Sequence, residues 1–162
     1  MSQRNFAVMG DNIFKIAERI SSNQRVCRLL KYQVRNPFSK DFEDVDGLDL
    51  LHRQILITPK IFDATTEKMS YLVSVFDSFE KNPGNQEFKI SGVRFVIACP
   101  YDEWVLDSTS LRPYLLMEEI DKMFNRAKLS GIGTLKFQNA DLLTLSPQLG
   151  GYTMRYVIDE FN

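Results

Sequence analysis

The segment "SVFDSFEKNPGNQEFKISGVRFVIACP", residues 74–100, limits the fold more than any other part of the chain. Two strand-like runs flank "KNPGNQ", whose proline, glycine and asparagines supply turn chemistry. The first run carries Tyr71, Val73, Val75 and Phe79 on one side, with Leu72 and Phe76 on the other. The second carries Phe88 and Ile90, then Val93, Phe95, Ile97 and Cys99. Their apolar phase changes at Ser91-Gly92, where a β-bulge is expected. The spacing predicts one hairpin over residues 70–99. Its arms would measure roughly 33–43 Å, against roughly 17–20 Å for an ordinary strand. A chain of 162 residues cannot easily cover arms of that length. The polar tip is therefore expected to project, with Phe79 and Phe88 near opposition across it and a partner to receive them. The alternative is a hairpin curled back onto its own domain.

The remaining pattern supplies a body for this hairpin. Ile13, Ile16, Ala17 and Ile20 repeat at helical spacing, with Asp11 as the expected N-cap. "SSN" at residues 21–23 interrupts, and Val26, Leu29 and Leu30 resume on one side of a second short helix. Arg19, Arg25, Arg28 and Lys31 are then expected to project from the opposite or flanking faces of the two helices. Residues 35–49 form an acidic loop whose Asp44-x-Asp46-Gly47 fails the calcium-loop register, because Phe42 and Arg53 fall at the two essential ends. A strand is expected over Gln54–Thr58, ended by Pro59. Leu116, Ile120, Met123 and Ala127 mark a further helix, capped by Ser108 or Ser110, with Pro113 in its first turn and Gly131 at its end. "GTLKFQN" and "GGYTMRYVIDEF" read as strands, with "DLLTLSP" a short strand or linker between them. The order predicts a single α+β domain over residues 1–162, a mostly antiparallel sheet flanked by two main helices and bearing a long protruding hairpin.

Several function classes are weakly supplied. Apolar runs are short, so no membrane partner is expected, and the N-terminus lacks signal-peptide character, so the chain is expected to stay in the cytoplasm where it is made. His52 is the one histidine, and Cys27 and Cys99 are expected as buried thiols, so neither a metal site nor a cofactor is expected. Asp102-Glu103 beside Trp104 reads as a polar exit from the hairpin, and "GIG" at 131–133 as a helix stop. No catalytic residue is assigned, and an enzyme is not expected.

Charge is unevenly distributed. Residues 1–40 hold eight Lys or Arg and two acidic residues, and residues 41–162 hold twelve basic and nineteen acidic ones. The basic part suits sequence-independent contact with phosphates, or attraction between opposite faces in an assembly. No nucleic-acid-reading module is present.

Three stretches carry a resemblance. They are "IAERISSNQRVCRLLKY" with "NPFS", then "ILITPKI" to "VRFVIACP", and lastly "LLMEEIDKMFNRAKLSGIGTLKF" with "GGYTMRYVIDEF". In pattern and order the chain resembles the tail terminator and neck proteins of long-tailed bacteriophages. The resemblance implies a structural virion protein, made in the host cytoplasm and forming a homo-oligomeric, typically hexameric, ring. Such a ring caps the tail tube protein, receives a head-completion or connector protein, and passes DNA through its lumen without reading sequence. On this resemblance Phe79, Asn82, Asn85 and Phe88 are expected at the interface, and Arg25, Arg28 and Lys31 at a lumen or charged partner. The loop from Asn36 to Leu51 departs from a compact terminator. A neck or head-closure adaptor, or a non-specific nucleic-acid-binding protein, is the alternative.

Overall fold

A computed structural model describes residues 6–59, 68–81 and 88–159. Helix α1 (Phe6–Ser21) is followed by α2 (Gln24–Lys31), and α3 (Arg112–Phe124) comes later. The strands are β1 (Ile55–Leu56), β2 (Tyr71–Lys81), β3 (Phe88–Pro100), β4 (Lys128–Leu129), β5 (Gly133–Thr144) and β6 (Leu149–Asp159). They form one six-stranded sheet in the order β1-β2-β3-β6-β5-β4, antiparallel except for β1 against β2. The class is α+β.

The break at residues 22–23 falls where "SSN" placed it, and it has a chemical cause. The Asn23 side chain accepts from the Val26 N–H at 3.2 Å, supplying the N-cap of α2. Asp11 is not a cap: α1 begins five residues earlier and Asp11 lies inside it. The α3 start also differs from expectation. Its cap position is Leu111, without a side-chain bond, and the Arg112 N–H instead donates to Trp104 O at 2.7 Å. Pro113 does occupy the first turn, where no N–H is needed.

The end of α3 is the larger correction. The helix stops at Phe124, not Gly131, because Arg126 takes a left-handed φ of 63° and its N–H turns to Leu135 O at 2.7 Å. Residues 128–129 then pair with β5, and Gly131, at φ 79°, makes the turn between them. Ala127 therefore belongs to the loop after α3. The "DLLTLSP" segment is also no separate strand, since β5 runs through to Thr144 past a bulge between Phe137 and Asn139. β1 is shorter than expected at two residues.

All three helices pack on one face of the sheet. Leu72, Phe95, Ile97, Met154 and Tyr156 share a core with Ile16, Ile20, Leu29, Leu116, Ile120 and Phe124. Phe95 is its aromatic centre, stacked on Phe124 at 5.0 Å and edge-on to Tyr156 at 5.6 Å. Each such side chain, fully buried, contributes roughly 1.5–3 kcal/mol. A smaller cluster of Leu56, Tyr71, Val73, Ala98 and Leu149 forms with the alternate side chains. Two buried arginines tie loops to this body. Arg112 is fully buried and donates to the carbonyls of Leu29, Val34 and Glu103.

The two long hairpins point in opposite directions. β3 pairs with β6 from Gly92↔Val157 to Pro100↔Leu149, so the turn after β5 lies at the end of the sheet away from the β2–β3 tip.

Candidate assembly interface

The long hairpin exists, with arms of 11 and 13 residues. Its register shifts on both sides of Ser78, with Phe76↔Val93, Ser78↔Gly92 and Phe79↔Ile90, so Asp77 on β2 and Ser91 on β3 each fall outside the pairing, and the irregularity lies where the phase change at Ser91-Gly92 placed it. Ser78 and Ser91 join their hydroxyls across it. Exposure grows along β2, from buried at Tyr71–Ser74, through half-buried, to exposed at Phe79–Lys81. The arm thus leaves the body as it approaches the tip.

Phe79 and Phe88 are near opposition along the backbone but are not a direct pair. Phe79 lies opposite Ile90 and Phe88 opposite Lys81, with one pair between them along the ladder. Phe79 turns back toward the body, meeting Phe6 edge-on at 5.2 Å and Phe76 at 6.2 Å. It remains 39 % exposed. Asn82 and Asn85 lie outside the described residues.

A polar cluster at the root of the hairpin was not anticipated. Asp77 accepts from Arg155 Nε at 2.5 Å and lies 3.6 Å from Arg94. Arg155 also donates to Gln138 at 2.5 Å, and Asp77 holds its guanidinium pKa up by accepting its hydrogen bond. This ties β2, β3, β6 and β5 together on the side opposite the helices. Alternation placed Arg155 away from the core, but strand order, which decides its partner, was not legible.

The three basic residues part company. Lys31 is exposed, with its ammonium 5.7 Å from the Tyr32 ring. Arg25 is half-exposed, bonded to Glu119 at 2.8 Å and lying 4.3 Å over the Phe38 ring. Arg28, expected to project, is buried. Its guanidinium donates to the carbonyls of Pro37, Ser39, Phe42 and Glu43, and it gathers the acidic loop around itself. An arginine between core positions carries no sequence mark of such a role, and a surface for charged partners cannot include it.

Catalytic geometry is thin. His52 takes φ 65° in a loop and meets the Phe14 ring at 5.6 Å. Among the described residues no group of three or more His, Cys, Asp or Glu could hold a metal ion, and no helix is long and apolar enough to cross a membrane. Cys27 and Cys99 are both buried free thiols. Burial pushes Cys27 up to about 11, helped by Asp46, and Cys99 up to about 12. The folded chain should therefore resist iodoacetamide at pH 8, and both thiols should react in denaturant, as counted by mass spectrometry. Because the folded pKa values are raised, the thiols' contribution to stability is full below the ordinary thiol value of 9.0 and is lost as pH rises toward about 11 for Cys27 and about 12 for Cys99.

A family model, YomW, matches residues 23–158, from the Asn23 cap to Ile158 near the end of β6. The chain belongs to the YomW family. That family name is of phage origin, of the Bacillus SPbeta type, and it points to a phage-associated protein without naming a virion part. No curated protein and no solved structure matches the chain. The YomW match takes in the hairpin, α2, α3 and the whole sheet, and leaves α1 outside it.

Proposed function

We propose that this YomW-family chain is a structural virion protein without catalytic activity, a tail terminator. It assembles as a ring, typically of six copies, on the end of the tail tube and offers the head-side connector its seat. DNA passes through the opening. The observation that carries the reading is the exposure gradient along β2, whose outer third leaves a body too small to cover it. The phage-derived family name supports the same setting.

A neck or head-closure adaptor would use the same hairpin and is the second reading. Nucleic-acid binding as the main role draws less support, since Arg28 is consumed inside the fold and Arg25 is paired with Glu119. Lys31 remains available to line a passage.

The test is native mass spectrometry over a concentration series, with negative-stain imaging of the protein alone and mixed with purified tail tubes. A closed ring seated at one tube end is the expected result. Rings that bind isolated portal complexes and ignore tubes would favour the adaptor. A chain that forms no ring alone, on tubes or on portals would end both readings.

A further inference from the structure

The sheet ends on β5, and most of that edge is bare. β4 pairs only with Gly133 and Thr134. Just beyond, Leu135 exchanges backbone bonds with Arg126 and Ala127, and the Phe137 N–H donates to Asn125 Oδ1 at 3.1 Å. Leu135 and Phe137 thus turn their backbone groups outward, toward cover already in place. The bulge at Gln138 then reverses the phase, because Phe137 faces Tyr156 while Asn139 faces Arg155. At the far end the Leu145 N–H donates inward to Leu149 O at 3.0 Å, so the alternate residues Ala140, Leu142 and Thr144 aim their N–H and C=O groups away from β6. Among the described residues, nothing bonds to those outward groups.

Soluble proteins blunt such edges with proline, charge or a covering segment. Residues 138–144 contain no proline and one charge, Asp141. The surroundings are apolar as well. Leu142 is 64 % exposed and lies opposite Tyr152, whose ring meets Tyr114 of α3 at 5.6 Å. Tyr114 and Phe137 are themselves exposed beside it.

The bare run is symmetric about its middle. It is bounded by the bulge at Gln138 and by the turn over residues 146–148, and Leu142 stands at its centre. A second copy laid antiparallel about a two-fold axis through Leu142 would set Ala140 opposite Thr144 of that copy, and Leu142 opposite itself. Every outward N–H then meets an outward C=O. Asp141 falls opposite Leu143 of the second copy and not opposite its own mate, where two carboxylates would repel. An axis one residue earlier would oppose the two Asp141 side chains and set Thr144 against the bulge. An axis one residue later would set Ala140 against the turn at Ser146. Nor does β4 stand in the way: it lies beyond Gln138, and the second copy's chain turns away at its own Ser146 before reaching it.

We propose that the free chain is a two-fold dimer, in which residues 139–145 of β5 pair antiparallel with the same residues of a second copy and join the two sheets into one. The contact is isologous, so one pairing covers the bare edge of both copies, with the two Leu142 side chains meeting at the axis. This goes beyond the ring reading. The two copies of the dimer point opposite ways along their strands, whereas copies seated on one tube end point alike. The dimer is therefore a form of the chain that has not met a tail.

The experiment introduces single cysteines and equilibrates each protein in a glutathione redox buffer. The native thiols are buried and stay silent. Leu142→Cys should form a disulfide-linked dimer by itself, since opposed residues of a hydrogen-bonded pair have Cα atoms about 5.5 Å apart, within disulfide reach. Ala140→Cys and Thr144→Cys should each stay unlinked alone and link when mixed. Leu142→Cys that links only to Ala140→Cys, or links to nothing, would overturn the proposal. In parallel, Ala140→Pro removes an outward N–H, twice in a two-fold contact, while leaving the bonds to β6; Ala140→Ser is its control. Sedimentation velocity should show roughly tenfold weaker dimerisation for the proline variant alone, with unchanged circular dichroism. A folded proline variant that dimerises like wild type would sink the pairing. So would a wild-type chain that sediments as a monomer at every concentration, and rings from that chain on tail tubes would leave the terminator reading standing.

Discussion

Replacing Arg112 with leucine should lower the free energy of unfolding by about 3–5 kcal/mol. The side chain is fully buried, and its guanidinium reaches three backbone carbonyls: Leu29 at the end of α2, Val34 in the loop after it, and Glu103 before α3. Burial pushes its pKa down, yet it keeps its charge at any ordinary pH. Leucine would fill part of the volume and leave those acceptors without a donor, in a place water does not enter. Each buried acceptor left unmet costs about 1–3 kcal/mol, against a whole stability of about 5–15 kcal/mol for a domain. Urea unfolding should show a lower midpoint at unchanged slope. Arg112→Lys should fall between, because one ammonium cannot span three acceptors arranged for a planar fork. A midpoint for Arg112→Leu within error of wild type would show that those carbonyls find other donors.

The second large effect concerns assembly and leaves stability nearly alone. Phe79 and Ile90 face each other across the hairpin. Replacing residues 80–89 with Asn-Gly should therefore close the strands in a two-residue turn without disturbing the sheet below. The shortened protein should stay folded, with a melting temperature within a few degrees of wild type, while ring formation and tube capping fall below detection. The reason lies in where the energy sits. The core below Ile90 is intact, whereas Glu80 and Lys81 are exposed, and on the proposed ring reading the removed segment serves contacts outside its own subunit. Rings of normal stability from the shortened chain would show that the hairpin tip is not a joint.

Much of this architecture was legible in the sequence, because local chemistry wrote it. Asn23 stops α1 from running into α2 by capping the latter, and the phase change at Ser91 marks the bulge. What escaped depended on partners distant along the chain. "NRAKLSG" has good helical composition, and only the bonds of Arg126 and Ala127 to Leu135 turn it into the start of a hairpin. Arg28 looked like a surface charge because the carbonyls that bury it come from residues 37–43. The same holds for the interface. The hairpin was visible, but the packing of Phe79 on Phe6 depended on a helix distant along the chain. The bare edge of β5 could not be seen at all without knowing which strands stand beside it.

The opposed hairpins have a further consequence. One end of the sheet carries the outgoing ribbon, and the other carries the tight turn after β5. The subunit is thus polar along its strands, and a cyclic assembly of such units would have two unlike rims. Only one rim could match a given surface, so a ring seated on a growing polymer would present the wrong rim to the next polymer subunit. Growth would stop there without any chemical signal, by mismatch alone.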